Sequence, residues 1–206
     1  MKKILLLSTL IAAPITTIQA QQQIEVAQIW NGTFRTNQLN ALNTLHTKNQ
    51  YSVLDYNRNT KTFTIDAFDF TTLEKVQTLF STADFPEIKE ISDYSINKTD
   101  DKILIATNSN PIYRHSFTSV YYLFDIASKS LIKISENAIQ EPLLNKNGSK
   151  IAYAFENNLY VFDVATKKTT QITKDGKKNS IINGITDRVY EEEFAFVRAF
   201  DWNADG

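Results

Sequence analysis

The chain has no cysteine, one methionine, four prolines and five glycines in 206 residues, and its 22 basic and 23 acidic residues leave a net charge of −1. Each shortage excludes something. Without cysteine there is no disulfide framework, no thiolate nucleophile and no thiolate metal site. The balanced charge removes the electrostatic footprint of a nucleic-acid binder, and no basic stripe stands out among the scattered lysines and arginines. The two histidines, His46 and His115, stand in no triad or zinc motif, and none of the glycines belongs to a Gly-x-Ser-x-Gly elbow. No metal, no cofactor and no complete catalytic set is therefore expected within these residues, which should not hydrolyse a substrate alone. What remains is an ordinary folding composition, 42% hydrophobic and 12% aromatic, sufficient for one sizeable core or part of a larger domain.

Long apolar runs are scarce as well. The stretch from Ile4 to Ile18 is interrupted by Pro14 and is too short and too rich in Thr and Ser to be a membrane span. Preceded by Met1-Lys2-Lys3 and followed by Ile18-Gln19-Ala20, it reads as an export signal over residues 1–20, with residues 21–206 carrying the fold. Export to the periplasm or the exterior is expected, and with no cysteine after the signal a lipoprotein anchor is not.

After residue 50, β-branched and aromatic runs alternate with polar turns in the manner of successive strands. The segment from Ile96 to Ile103 aligns without gaps on that from Leu144 to Ile151, an offset of 48, and a third copy begins at Trp202. A second element recurs as Phe68-Asp69-Phe70-Thr71-Thr72, Phe124-Asp125-Ile126-Ala127-Ser128 and Phe162-Asp163-Val164-Ala165-Thr166. A unit of turn, strand, turn, strand, Phe-Asp turn and strand at this period is the signature of a β-propeller blade. The expected fold is all-β, an incomplete propeller of about three blades with a short helical insertion. Because a propeller needs about four or more blades to close, the chain is expected to be the N-terminal piece of a longer protein. The run from Asp201 to Gly206 also satisfies the opening of a calcium loop, but its parallel with Asn145-Lys146-Asn147-Gly148 identifies it as a blade turn.

Function is expected where the repeat breaks, because excursions from a rigid scaffold are free to carry binding groups. Ten extra residues lie between Asn108 and Thr118 and include Tyr113-Arg114-His115-Ser116-Phe117, where His115 is expected to support the hairpin. A second excess of twenty residues follows Ile172 and contains Tyr190-Glu191-Glu192-Glu193-Phe194. Asn183-Gly184 marks a turn, Asp187 suits a helix cap, and Tyr190, Phe194 and Val197 recur at helical spacing, so a short helix is predicted around the acids. Adjacent carboxylates repel unless a cation resolves them, and a protonated α-amine does so while both stay ionised.

These two segments resemble a known family. The run from Asn183 to Phe194 is similar to the double-Glu segment of dipeptidyl peptidase IV and its relatives, and Arg114-His115-Ser116-Phe117-Thr118 resembles the arginine segment of the same propeller. The resemblance implies a serine exopeptidase built from an eight-bladed N-terminal propeller and an α/β-hydrolase domain that lies downstream and is missing from this sequence. It implies that Glu192 and Glu193 bind the α-ammonium of a peptide substrate with a free N-terminus, that Arg114 helps hold the carbonyl of its first residue, and that Glu191 contributes much less. Release of N-terminal dipeptides with Pro or Ala second, and a homodimer at full length, are also implied. A tripeptidyl peptidase, or a non-catalytic propeller that binds peptides, would share the same anchor. One departure stands out: Arg188 occupies a position where the family usually has Trp, which alters the packing behind the helix and the charge of the pocket.

Overall fold

The computed structural model describes residues 24–36 and 39–204. The chain divides into two units, residues 1–39 and residues 40–206. In the first, one short helix, α1 (Val26–Trp30), opens with a capping box in which Glu25 and Gln28 exchange hydrogen bonds. The export signal expected over residues 1–20 lies outside the described residues, and no described helix is long and apolar enough to cross a membrane.

Among the described residues of the second unit, twelve strands form three four-stranded antiparallel sheets, each in sequence order. The first holds β1 (Leu42–Thr44), β2 (Gln50–Asn57), β3 (Thr62–Asp69) and β4 (Lys75–Ser81). The second holds β5 (Asp93–Ile96), β6 (Lys102–Pro111), β7 (Phe117–Asp125) and β8 (Leu131–Lys133), and the third holds β9 (Gln140–Leu144), β10 (Lys150–Phe155), β11 (Asn158–Asp163) and β12 (Lys168–Gln171). These are the three propeller blades that the repeat predicts. The first begins earlier than the pattern suggests, because β1 is only three residues long and exposed throughout, too short to show alternation.

The repeat is legible because its turns are made by side chains. Asn97 Oδ1 accepts the N–H groups of Asp101 and Lys102, and Asn145 Oδ1 accepts those of Ser149 and Lys150, so the same asparagine closes the turn before the second strand of two blades. Three residues further on, Asp100 and Gly148 take the left-handed backbone that the turn requires, at φ 54° and 67°. The Phe-Asp element works likewise. Asp125 Oδ1 accepts from the Ser128 backbone and hydroxyl, Asp163 Oδ1 from those of Thr166, and Asp69 Oδ1 from the backbones of Thr71 and Thr72. Each of these local bonds sets the chain for the last strand of its blade.

Alternation along β6 then welds the blades together. Ile103 and Ile105 pack with Ile65, Phe80 and Phe124 against the first blade, while Leu104 and Ala106 pack with Tyr121, Ile151 and Tyr153 against the third. A strand buried on both faces presents a continuous apolar run, which explains Ile103-Leu104-Ile105-Ala106. Turns are fastened too: both carboxylate oxygens of Asp100 are engaged, one by the His46 N–H at 2.9 Å and the other by the N–H and hydroxyl of Thr47 at 2.6 Å each.

Candidate functional site

Both excursions leave the scaffold where the repeat breaks. The first lengthens β6 and β7 beyond their sheet. Their register runs regularly to Thr107 opposite Val120, then shifts to Asn110 opposite Thr118. Asn108, at φ 53°, stands in that bulge. The hairpin is closed by the Ile112 N–H on the Ser116 carbonyl at 2.8 Å, and its tip exposes Tyr113, Arg114 and His115.

The second excursion has a closed neck. Ile185 bridges Arg198, the Thr186 N–H donates to the Val197 carbonyl at 2.9 Å, and the Ala199 N–H donates to the Gly184 carbonyl at 3.1 Å. The Thr186 hydroxyl also donates to the Phe196 carbonyl. Between these bonds stands α2 (Arg188–Phe194), and Asp187 caps it by accepting the N–H groups of Val189 and Tyr190 at 2.9 and 3.1 Å. Ala195, in the left-handed region at φ 51°, ends it with its N–H on the Glu191 carbonyl. The helix and its cap therefore lie where the sequence predicts them, but the helix stops at Phe194, and Val197, read at helical spacing, falls in the neck instead.

A helix turns about 100° per residue, so three consecutive glutamates must part company. Glu191 points inward and is 2% exposed. Its Oε1 accepts the N–H of His115 at 2.6 Å and of Ser116 at 2.8 Å, while Oε2 accepts the Ser116 hydroxyl at 2.7 Å. Burial alone would push this carboxyl up, but the Ser116 hydroxyl and the two N–H groups outweigh it and hold the group below the ordinary carboxylate range. Glu191 thus has a structural place that the sequence does not announce: it is the bolt that ties α2 to the arginine hairpin, to partners 75 residues away.

Glu192 turns toward the hairpin. The Arg114 Nε lies 3.5 Å from its Oε2, with the arginine side chain 70% and the glutamate side chain 29% exposed. Glu193 is exposed and makes no hydrogen bond or ion pair with the described residues. The structure thus brings together Arg114 and Glu192, and leaves Glu193 open beside them on the same helix. His115 contributes its backbone N–H to Glu191.

The rest of α2 reverses the usual amphipathic order. The acid at Glu191 is buried, while Val189, Tyr190 and Phe194 are 65%, 54% and 70% exposed. Arg188 reaches back to the hairpin, its guanidinium carbon 5.5 Å from the Tyr113 ring centroid, so the two excursions meet at three successive levels. Below the neck, Arg198 Nη1 lies 3.9 Å from Oε2 of Glu141 on β9. Burial pushes the Glu141 carboxyl up, Arg198 opposes this, and the charges of Asp93 and Glu191 add to it.

Among the described residues no group of three or more His, Cys, Asp or Glu could hold a metal ion. Asp201 to Ala204 follow the neck, where the Trp202 indole N–H donates to the Leu143 carbonyl at 2.9 Å; Asp205 and Gly206, which complete the turn motif, lie outside the described residues.

Comparison with known proteins shows what the chain resembles. The family model for the dipeptidyl peptidase IV (DPP IV) N-terminal region matches residues 97–206. The chain is 37% identical to dipeptidyl peptidase 4 of Felis catus over 120 residues, which is 56% of this chain and 16% of the relative. It is 27% identical to prolyl endopeptidase FAP of Bos taurus over 192 residues, 89% of this chain and 23% of the relative. Among solved structures, Porphyromonas gingivalis dipeptidyl peptidase 4 superposes with a TM-score of 0.80 at 28% identity, covering 90% of this chain and 26% of that one. The chain therefore spans about a sixth to a quarter of the length of the relatives it matches.

Proposed function

The chain belongs to the family of the dipeptidyl peptidase IV N-terminal region, and on that premise we propose that it carries the substrate-recognition site of an exported serine exopeptidase that removes dipeptides from free N-termini. The chemistry belongs to an α/β-hydrolase domain encoded beyond Gly206, and residues 1–20 direct export. The observation that carries the reading is the pair of Arg114 and Glu192, which come from two separate excursions and are held together by the buried Glu191.

In this reading the peptide's ammonium sits between Glu192 and Glu193. An ammonium donates up to three hydrogen bonds, and two carboxylates at the end of a rigid helix are suited acceptors. Arg114 has a loose ion pair with Glu192 at 3.5 Å. A pair at that distance with an exposed arginine contributes little to stability, so the guanidinium can turn its remaining donors to the carbonyl of the first residue. Anchoring the amine at a fixed distance from the nucleophile turns the site into a ruler, and the ruler selects the second peptide bond. The aromatic face of α2, with Tyr190 and Phe194 outward, would abut the catalytic domain or the peptide. Full-length protein is expected to be a homodimer that prefers Pro or Ala in the second position.

The full-length protein tests this with alanyl-prolyl-p-nitroanilide. Release of p-nitroaniline that stops when the amine is acetylated supports the proposal. A full-length chain that binds such peptides but does not cut them would instead be a peptide-binding propeller.

A further inference from the structure

Arg188 has an aromatic ring beneath it and no ion pair with an acid among the described residues. Its guanidinium carbon lies 5.5 Å from the Tyr113 ring centroid, and it makes no hydrogen bond or ion pair with the described residues. Stacking engages the face of a guanidinium and leaves the N–H groups along its edge unused, in the planar fork that matches a carboxylate. Arg188 also lines a cleft of about 630 Å³. Of the charged residues lining it, Glu191 spends its carboxylate on His115 and Ser116, and Asp187 accepts the two N–H groups of its cap. Glu156, Lys178 and Arg188 are the other charged residues of the lining.

The position of this unspent cation is informative. Arg188 and Glu192 are four residues apart on α2, so they share one face and lie about 5.4 Å apart along the axis. Glu192 faces Arg114 on the hairpin and Arg188 faces Tyr113, the next residue. A peptide whose ammonium rests at Glu192 has only the first residue's side chain close enough to reach one helical turn back. A carboxylate there would find the guanidinium edge, whereas an ammonium would be repelled by it.

We propose that Arg188 is a specificity-determining residue that receives the side chain of the substrate's first residue, favouring peptides that begin with Asp or Glu over those that begin with Lys. The inference rests on Glu192 anchoring the amine. Its test is kcat/KM of the full-length protein for aspartyl-prolyl-, alanyl-prolyl- and lysyl-prolyl-p-nitroanilide. The aspartyl substrate is expected to exceed the lysyl one by about tenfold or more, and in Arg188→Gln that ratio falls toward unity. The ratio should also shrink as salt rises from about 50 to about 500 mM, since the Debye length falls severalfold. An equal ratio in Arg188→Gln and the parent overturns the proposal and leaves Arg188 as a brace on Tyr113. Should the variant not fold, a ratio near unity in the parent, or one that salt does not move, overturns it alone. Equal turnover of acetylated and free alanyl-prolyl substrate overturns the anchor itself, and the inference with it.

Discussion

Glu191 takes the N–H of Ser116 at 2.8 Å and its hydroxyl at 2.7 Å, so a single buried carboxylate joins the acidic helix to the arginine hairpin across 75 residues. The arrangement separates two jobs within one triplet. Glu191 sets where α2 stands, and Glu192 with Glu193 are left for the proposed ammonium.

Removing the bolt should loosen the hairpin before anything else. Glu191→Ala leaves three donors without their acceptor, each worth about 1–3 kcal/mol when buried and unmet. Local opening should therefore become easier by at least about 2 kcal/mol. Amide hydrogen exchange at His115 and Ser116 should accelerate at least about thirtyfold, while amides in β6 between Ile103 and Ala106 keep their protection. Exchange at His115 and Ser116 that matches the parent would deny Glu191 this role.

The same bolt is sensitive to acid. Folding lowers the Glu191 pKa, so its contribution is fully present above the ordinary glutamate value of about 4.3. It is lost as pH falls through the lower folded value. Protection of the His115 and Ser116 amides should hold down to about pH 4.5 and fail below it. In Glu191→Gln, which does not titrate, that step should vanish.

Asp100 should matter to the scaffold rather than to the site. Its carboxylate takes the His46 and Thr47 N–H groups and the Thr47 hydroxyl. Burial raises its pKa, but these bonds more than offset that and leave it lowered. Asp100→Ala should cost about 1–3 kcal/mol in urea denaturation. Asp100→Asn should cost less, because asparagine tolerates φ 54° and keeps one acceptor.

Gly184 is the hinge of the neck. Its φ is +84°, and an added Cβ would stand 3.1 Å from Leu159 Cδ1. Gly184→Ala should destabilise by about 1–2 kcal/mol and shift α2, so that KM for a free-amine peptide rises although no binding residue has changed. An unaltered KM would separate the neck from the site.

Much of this was legible in the sequence where the physics is local. The turns closed by Asn97 and Asn145 and by Asp69, Asp125 and Asp163 use side chains that bond within a few residues, so each repeat carries its own instruction. The helix around the glutamates follows from the Asp187 cap. β1 escaped because three exposed residues have no pattern, and α1 because none of its five residues is buried. The importance of Glu191 escaped for the opposite reason. By composition a glutamate is a surface residue, and only the fold brings Ser116 to it. The contact between Arg188 and Tyr113 is equally non-local, joining the two excursions through side chains 75 positions apart.

Charge at the anchor itself should be decisive. Glu192→Ala or Glu193→Ala in the full-length protein should lower kcat/KM for a free-amine dipeptidyl substrate by an amount equivalent to about 2–5 kcal/mol. Arg114→Ala should lower turnover as well. Since the Arg114 side chain is 70% exposed, thermal stability should change by less than about 1 kcal/mol.

The most direct measurement compares one peptide with a free and with an N-acetylated amine, as kcat/KM at pH 7 in the full-length protein. Acetylation removes the positive charge and changes nothing at the scissile bond. If Glu192 and Glu193 hold an ammonium, the acetylated peptide should be cut at least about a hundredfold more slowly. Equal rates for the two peptides would contradict the account.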